Sequence, residues 1–375
     1  MKNDQLDIFA ATIPGLEKVC ARELTALGVD FPRTVAGGVE FCGDLRHIYL
    51  ANLWLRSAGR VTVRVGSGRC SDFPELFKRS ARLPWGRFIK PATPVKVLVT
   101  CHRSRLWHGE RVATAVMDGI DRALGRSRPE SGPFTQQVLV RIDTDRCTFS
   151  VDSSGLLLHR RGYRQAAVRA PLRETLAAGI LQLLGWDGTT PLVDPCCGSG
   201  SFPLEAALLA AHRAPGAART FAFMHWPRYR EGLWRSLLAE AARGERPLTV
   251  ALHGADRDLA AVAAARANAE HAGLSATVTF HERAIADWDV APVGCGLVIA
   301  NPPYGLRLER PETLTPLYTE FGNVCRRVFP AWRVALLTPH RQLADATGLP
   351  FKQALPLLNG GKRVQLFATF RMPSR

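Results

Sequence analysis

Residues 192–200 read Leu-Val-Asp-Pro-Cys-Cys-Gly-Ser-Gly, and this stretch decides the fold class of the chain. Its apolar start predicts a β-strand, Gly198 and Gly200 predict a turn, and the residues from Phe202 to Ala211 predict a helix. Glycine tolerates positive φ and lets a ligand approach the backbone at a helix N-terminus. The stretch therefore has the strand–turn–helix pattern from which α/β sheets are built.

The same alternation continues after this stretch. Apolar runs predict its own strand at 191–194 and further strands at 248–255, 276–281, 296–300 and 332–338, separated by alanine-rich helices. Residues 353–370 predict two more strands around the hairpin signal Asn359-Gly360-Gly361. We therefore expect a Rossmann-like α/β domain with a seven-stranded, mostly parallel sheet.

The glycine-rich turn limits which cofactor the domain could bind. It is neither a P-loop nor a Gly-x-Gly-x-x-Gly dinucleotide loop. An acidic residue before Gly-x-Gly suits a cationic cofactor that carries an amino acid, and S-adenosylmethionine (SAM) fits, with Asp194 near its amino group. The alternative is an ordinary turn between a strand and a helix.

Two aspartates follow the next strand, in His253-Gly-Ala-Asp-Arg-Asp258. A carboxylate at a strand end can accept both ribose hydroxyls of a nucleoside cofactor, and Asp256 is the candidate. Asp258 is expected to cap the following helix. Helix capping alone could explain either carboxylate.

A third polar loop follows the predicted strand 296–300 and reads Asn301-Pro302-Pro303-Tyr304. The Asn301 side-chain oxygen and the Pro302 carbonyl can accept hydrogen bonds from a planar NH2 group, which stabilises charge as that nitrogen attacks a methyl group. The prolines add no competing N–H and stiffen the loop, and Tyr304 could stack on a base. Asn-Pro is also a common turn starter, but all three loops lie at strand carboxyl ends, where open α/β sheets bind ligands.

Charge is the unusual feature of the composition. The 375 residues carry a net charge of +16, with +10 in the first 165 residues and +6 in the rest. This balance favours a polyanionic partner such as nucleic acid, and arginine suits phosphate contacts and base stacking. A basic proteome or a high-GC codon bias would also inflate arginine.

The nine cysteines are scattered, odd in number and without zinc spacing, so we expect reduced thiols and no metal. No apolar run approaches the roughly 20 residues of a membrane span, and the N-terminus does not predict a signal peptide. These features predict a cytoplasmic protein without a membrane partner.

The first 155 residues have a different, α+β pattern, with basic residues on exposed strand positions. Residues 104–108, Ser-Arg-Leu-Trp-His, combine basic and aromatic side chains. They could grip RNA, or they could be solvated arginines over a core that contains the tryptophan.

At this point the chain resembles the THUMP-domain class I methyltransferases, and most of all the bacterial large-subunit rRNA guanine-N2 methyltransferases of the RlmL and YpsC-like type. The resemblance covers essentially the whole chain, and it is carried by the strings at 9–17, 37–41, 158–164, 174–178, 194–200, 213–216 and 301–305. It implies a ferredoxin-like part at 1–45, a THUMP domain at 46–155 that holds structured RNA, a linker at 156–170 and a methyltransferase domain at 171–375. The chain ends before a second methyltransferase domain could begin, as in the shorter relatives.

The resemblance also implies roles for individual residues. The candidate catalytic residues are Asn301, Pro302, Pro303 and Tyr304; the candidate cofactor-binding residues are Glu174, Thr175, Asp194, Cys196, Gly198, Gly200, Asp256 and Asn301. Relatives usually place an acidic residue near the adenine where Ala284 stands here, and Asp287 is the candidate to substitute for it.

The resemblance implies a SAM-dependent RNA methyltransferase that forms N2-methylguanosine, most plausibly in 23S rRNA, by direct transfer without a metal. A tRNA guanine substrate and adenine N6 in DNA or RNA stay open as alternatives, since the same loop serves them. Glutamine N5 is disfavoured by the basic first half, and cytosine C5 by the lack of a cysteine in the catalytic loop. An RNA-binding protein without catalysis is a further alternative, disfavoured by the complete set of Asp194, Gly198, Gly200 and Asn301. The oligomeric state is left open.

Overall fold

The computed structural model describes residues 5–166, 171–304 and 311–370, and its strands form two seven-stranded sheets. The first sheet has the order β2-β3-β1-β4-β7-β6-β5. Its strands are β1 (Leu6–Thr12), β2 (Arg33–Val35), β3 (Gly38–Gly43), β4 (Ala58–Arg69), β5 (Val95–His102), β6 (Gln136–Asp143) and β7 (Arg146–Asp152). The helices of this half are α1 (Glu17–Ala26), α2 (Leu45–Trp54), α3 (Phe73–Ser80) and α4 (Gly109–Leu124).

The ends of these helices follow from the local sequence. Asp44 caps α2 and Asp72 caps α3, because each side chain accepts a hydrogen bond from a backbone N–H of the first turn. A glycine with positive φ lies just after α1 and just after α4: φ is +81° at Gly28 and +58° at Gly125.

The predicted ferredoxin-like and THUMP parts share one continuous sheet. Strand β1 pairs antiparallel with both β3 and β4, and β4 pairs in turn with β7. The proposed division between residues 45 and 46 falls at the start of α2, and it stays a prediction.

The second sheet has the order β10-β9-β8-β11-β12-β14-β13. Its strands are β8 (Leu192–Asp194), β9 (Leu252–Asp256), β10 (Thr279–Glu282), β11 (Leu297–Ala300), β12 (Arg333–Thr338), β13 (Gln353–Asn359) and β14 (Lys362–Ala368). Its helices are α5 (Glu174–Leu183), α6 (Ser201–Ala210), α7 (Glu231–Arg243), α8 (Leu259–His271), α9 (Pro311–Val328) and α10 (Arg341–Ala346). The strands from β10 to β12 are parallel, and the hairpin of β13 and β14 is antiparallel, which confirms the predicted fold class.

Strand β9 begins later than its apolar run predicted, at Leu252 instead of residue 248. The neighbouring strand β8 begins at Leu192, which lies opposite Leu252, so the earlier residues have no ladder partner there. Within the described residues, no helix is long and apolar enough to cross a membrane.

Buried contacts join the two halves of the molecule. Leu16 and Val19 of the first half pack into the core around the second sheet. The buried Arg56 donates hydrogen bonds to the carbonyls of Leu208 (3.1 Å) and Arg213 (2.7 Å) in the second half. The junction is therefore a packed and hydrogen-bonded interface.

Candidate active site

The carboxyl ends of three neighbouring parallel strands bring the predicted site residues to one edge of the second sheet. Asp194, at the end of β8, lies opposite Gly254 of β9, and Val193 lies opposite Val298 of β11. Asp256 ends β9 and Asn301 directly follows β11, so both lie at the same edge as Asp194. The strand order therefore produces the cluster that the sequence predicted.

Asp194 is a buried carboxyl group that lacks a cationic partner among the described residues. Its Oδ1 accepts a hydrogen bond from the Cys196 backbone N–H at 3.1 Å. Burial raises the pKa of Asp194 well above its usual range, and the nearby charge of Asp256 raises it further. A bound ammonium group would compensate this buried charge, so the site fits the amino group of SAM.

The turn after β8 requires glycine at Gly200 for two reasons. Its φ is +85°, and a Cβ atom there would lie 3.0 Å from Cζ of Phe280. Gly198 also has positive φ, at +52°. The turn therefore keeps its backbone free of side chains at the start of α6, where a ligand can approach.

Asp256 is tied to the same turn. Its Oδ2 accepts a hydrogen bond from the Gly198 backbone N–H (3.0 Å), and its Oδ1 accepts one from the Asp258 N–H (3.1 Å). Each carboxylate oxygen can accept a further hydrogen bond, so the ribose role of Asp256 stays a prediction. Asp258 caps α8 by accepting from the Ala260 N–H at 2.9 Å, as the sequence predicted.

Glu174 and Thr175 are buried in the first turn of α5. The Arg164 guanidinium donates to Glu174 Oε1 (2.6 Å) and also to the hydroxyls of Ser199 and Ser201, each at 2.7 Å. Arg164 thus connects the start of α5 to the glycine-rich turn. This contact explains why Glu174 is buried, while the cofactor roles of Glu174 and Thr175 stay predictions.

Cys196 lies in the same turn. Burial raises the pKa of its thiol well above the usual range, and the charge of Asp194 raises this pKa further. The thiol is therefore neutral and not a nucleophile. Its predicted place beside the cofactor stays a prediction.

The Asn301 side chain has the most informative environment of the site. Its Oδ1 is buried and has no hydrogen-bond partner among the described residues. An unpaired buried acceptor costs free energy, and it persists in proteins mainly where a ligand or a water molecule satisfies it. The two prolines that follow offer no N–H that could do so.

The rest of the loop is held from two sides. The Tyr318 hydroxyl of α9 donates to the Pro303 carbonyl at 3.2 Å, and Nδ2 of Asn359, at the end of β13, donates to the Tyr304 hydroxyl at 3.0 Å. Pro302 is buried and Pro303 is exposed. Tyr304 is only 6% exposed, so little of its ring is accessible to a base. Its stacking on the base stays a prediction.

Sequence reasoning missed the residues that hold this loop. Asn359 was interpreted as part of a hairpin turn, and Tyr318 was not singled out. Their contacts depend on how α9 and the hairpin of β13 and β14 pack beside the loop, which no local pattern specifies. The string 158–164, which contains Arg164, carried the resemblance but no assigned role.

The predicted adenine contact also lies in the described part of the chain. Asp287 accepts a hydrogen bond from the Ala284 backbone N–H at 3.1 Å and thereby closes a short helical turn. Its substitution for the missing acidic residue stays a prediction. In the described ranges, no three His, Cys, Asp or Glu side chains are grouped as metal ligands would be.

Family models match three consecutive parts of the chain. Residues 7–62 match the RlmL ferredoxin-like domain, residues 70–152 match the THUMP domain, and residues 161–364 match the RMKL-like methyltransferase domain.

Full-length relatives support the same assignment. "Putative RNA methyltransferase slr0064" of Synechocystis is 34% identical over 360 residues, which is 94% of each chain. The ribosomal RNA large subunit methyltransferase K/L of Methylococcus capsulatus is 36% identical over 388 residues, covering 98% of this chain and 52% of that protein. The chain thus spans about half the length of the K/L relatives.

Solved structures share the overall fold. A structure titled "SMU.472, a putative methyltransferase complexed with SAH" has a TM-score of 0.91 at 30% identity and covers 100% of both chains. A structure titled a "predicted N6-adenine-specific DNA methylase" from Listeria monocytogenes has a TM-score of 0.89 at 34% identity, covering 98% of this chain and 97% of that one.

The fold and the site together define a SAM-dependent methyltransferase. The turn at 198–200 and the buried Asp194 fit this cofactor. The chain belongs to the RMKL-like methyltransferase family, with the ferredoxin-like and THUMP domains of RlmL before its catalytic domain.

Proposed function

We propose that the protein methylates the exocyclic N2 amine of a guanosine in RNA, most specifically in large-subunit ribosomal RNA. The buried Oδ1 of Asn301 carries this proposal, because it is an acceptor at the ligand edge of the sheet that has no donor among the described residues. An exocyclic NH2 group supplies the missing donor. The RNA class is supported by the THUMP match and by the names of the K/L relatives.

The proposed chemistry uses two acceptors and no covalent enzyme intermediate. SAM supplies an electrophilic methyl group when it is bound. The Asn301 Oδ1 and the Pro302 carbonyl accept hydrogen bonds from the amine, and they stabilise the positive charge that develops on its nitrogen. The nitrogen would gain the methyl group as the methyl–sulfur bond breaks, with S-adenosylhomocysteine as the second product, and it would lose a proton to water.

Positioning of the target amine is proposed to contribute the rest of the rate enhancement. The target base lies within folded RNA and is proposed to be flipped out of its stack to reach the site. Tyr304 and the prolines hold the loop rigid, so the amine is oriented before the reaction. The first 155 residues are proposed to hold the RNA, and the domain division at 45, 155 and 170 is part of this proposal.

Adenine N6 is the second candidate, because it is also a planar exocyclic amine that Asn301 could hold. The name of the Listeria relative favours it. The THUMP match favours RNA over DNA as the carrier of the base. A guanosine in tRNA is the remaining alternative.

Nucleoside mass spectrometry of RNA and DNA from a deletion strain tests this proposal. The expected result is loss of N2-methylguanosine from large-subunit rRNA, with restoration by the wild-type gene. Loss of N2-methylguanosine from tRNA alone would show that the substrate is tRNA and not large-subunit rRNA. Loss of N6-methyladenine from RNA or DNA, with N2-methylguanosine unchanged, would overturn the choice of base.

A further inference from the structure

A cavity lies at the junction of the two halves, beside the glycine-rich turn at 198–200, which is called the cofactor turn below. Its volume is about 570 Å³, and among the described residues its charged lining consists of Arg160, Arg161, Arg164, Arg173, Arg219 and Glu174. Arg164 also donates to Ser199 and Ser201 of the cofactor turn, as described above. The cavity is therefore strongly basic and adjacent to the cofactor turn.

Two of these arginines are already neutralised by buried carboxylates. Arg164 pairs with Glu174 at 2.6 Å, and Arg161 lies 3.5 Å from the buried Glu205. Their charges are compensated within the protein. The excess positive charge of the cavity therefore belongs to the remaining three arginines.

Arg160 and Arg173 both line the cavity, and both are exposed. Neither side chain has a hydrogen bond or an ion pair with another described residue. A guanidinium group presents several N–H donors in a plane, which matches the oxygens of a phosphate. These two side chains are thus available to an anionic ligand.

Arg219 adds a donor that is buried. Its Nη2 donates to the Leu156 carbonyl at 2.6 Å, and its guanidinium lies 5.1 Å from the centre of the Phe221 ring. Its Nη1 is buried without a partner among the described residues. Burial lowers the pKa of Arg219 to about 10, and the charge of Arg161 lowers it further. An unpaired buried donor of this kind is satisfied when an anion enters the cavity.

The histidine of the same lining reports the local field. Burial lowers the pKa of His159 to about 4, and the charges of Arg173, Arg160, Arg161 and Arg164 contribute in the same direction. His159 is therefore neutral at physiological pH. Among the described lining residues, the positive potential therefore comes from the arginines.

We propose that this cavity binds a backbone phosphate of the RNA strand that carries the target nucleotide. The proposal rests on the proposed function only in taking RNA as the substrate. A nucleotide that leaves its stack brings its phosphates with it, so a phosphate site next to the cofactor turn would hold the strand in register. The string 158–164 thereby has a role in substrate positioning.

Binding of a fluorescein-labelled single-stranded oligoribonucleotide to the full chain tests this proposal. The double substitution Arg160→Ala/Arg173→Ala should weaken binding by about tenfold. It should also lower the slope of log affinity against log salt by about one or more, because phosphate contacts are lost. Arg160→Lys/Arg173→Lys keeps the charge and should keep most of the slope. SAM affinity, measured by calorimetry, should not change.

Arg235→Ala is the matched control, because Arg235 is an exposed arginine on α7 that pairs with Glu231 and does not line the cavity. Equal binding losses in the control and in the double variant would overturn the proposal. A parallel loss of SAM affinity would assign the cavity to the cofactor and overturn it too. Competition by polyglutamate as strong as by unlabelled RNA would assign an acidic peptide instead.

This measurement does not involve methyl transfer. A different methylated base would therefore leave its result unchanged, and a failure of the phosphate site would leave the base assignment untouched. The two proposals can thus fail separately.

Discussion

At the scale of single residues, the site keeps two buried polar groups unsatisfied. Asp194 is a buried carboxyl group with a raised pKa, and Asn301 Oδ1 is a buried acceptor without a partner among the described residues. Each arrangement costs folding free energy that the sheet must offset. Both costs are relieved by ligands of opposite character: a cation at Asp194 and an N–H donor at Asn301.

Asp194→Asn should separate stability from cofactor binding. The raised pKa means that Asp194 stabilises the fold at low pH, and that this contribution is lost as pH rises through the folded-state pKa. Asparagine stays uncharged, so the ligand-free variant should unfold at a higher temperature than wild type above that pKa. Its SAM affinity should fall by about tenfold or more, because the charged partner of the ammonium is gone.

Calorimetry in buffers of different ionisation enthalpy supplies the control for this variant. SAM binding should lower the pKa of Asp194, so wild type should release a proton where the carboxyl group is still partly protonated. Asp194→Asn should not release it. A variant that binds SAM as tightly as wild type would contradict the role of Asp194.

At the scale of elements, two neighbours hold the loop that follows β11. Helix α9 contributes the Tyr318 hydroxyl, and the hairpin of β13 and β14 contributes Asn359. The antiparallel hairpin is thus part of the site although it lies at the far edge of the sheet. Rigid support of this kind keeps a catalytic group in its productive position.

Asn359→Ala should therefore lower the rate of methyl transfer by about tenfold, since the loss of one hydrogen bond loosens the Tyr304 side chain. SAM affinity should persist. In a Tyr304→Phe background, where the same bond is already absent, Asn359→Ala should have almost no further effect. Additive losses in this double-mutant cycle, measured by single-turnover methyl transfer, would show that Asn359 acts in another way.

The sequence predicts the individual strands and helices better than it predicts which of them lie next to each other. The run of apolar residues and the glycines correctly predict the strand that ends at Asp194, the turn at Gly198 and Gly200, and the helix after them. The order of strands in the sheet depends on long-range pairing, so neither the support of Tyr304 by Asn359 nor the late start of β9 could be derived locally. The unpaired Asn301 Oδ1 is a three-dimensional property that no motif reports.

At the scale of the whole molecule, the two halves are built to stay together. Leu16 and Val19 belong to the core of the second half, while Phe223 and Trp234 belong to the core of the first. Arg56 crosses the junction with hydrogen bonds from its side chain to two carbonyls, and Arg161 donates to the Arg56 carbonyl at 2.6 Å. A fixed junction places the half that is proposed to hold the RNA at a constant distance from the active site.

The shared cores predict a single cooperative unfolding transition of the full chain in calorimetry. Arg56→Ala should lower the free energy of unfolding by about 3 kcal/mol, because it leaves buried carbonyls without donors. The exposed Arg341, which pairs with Asp345 on α10, is the control, and Arg341→Ala should stay within about 0.5 kcal/mol of wild type. Two resolved transitions in wild type would refute the fixed junction.

The most direct test of the account is single-turnover methyl transfer to large-subunit rRNA by Asn301→Ala, with SAM affinity measured in parallel. Removal of the unpaired acceptor should slow transfer by roughly a hundredfold or more, because the charge on the amine nitrogen loses its stabilisation. SAM binding should persist, and Asn323→Ala, at a residue of α9 that bonds to Arg326, should react like wild type. Near-normal transfer by Asn301→Ala would contradict the central claim that this side chain holds the reacting amine.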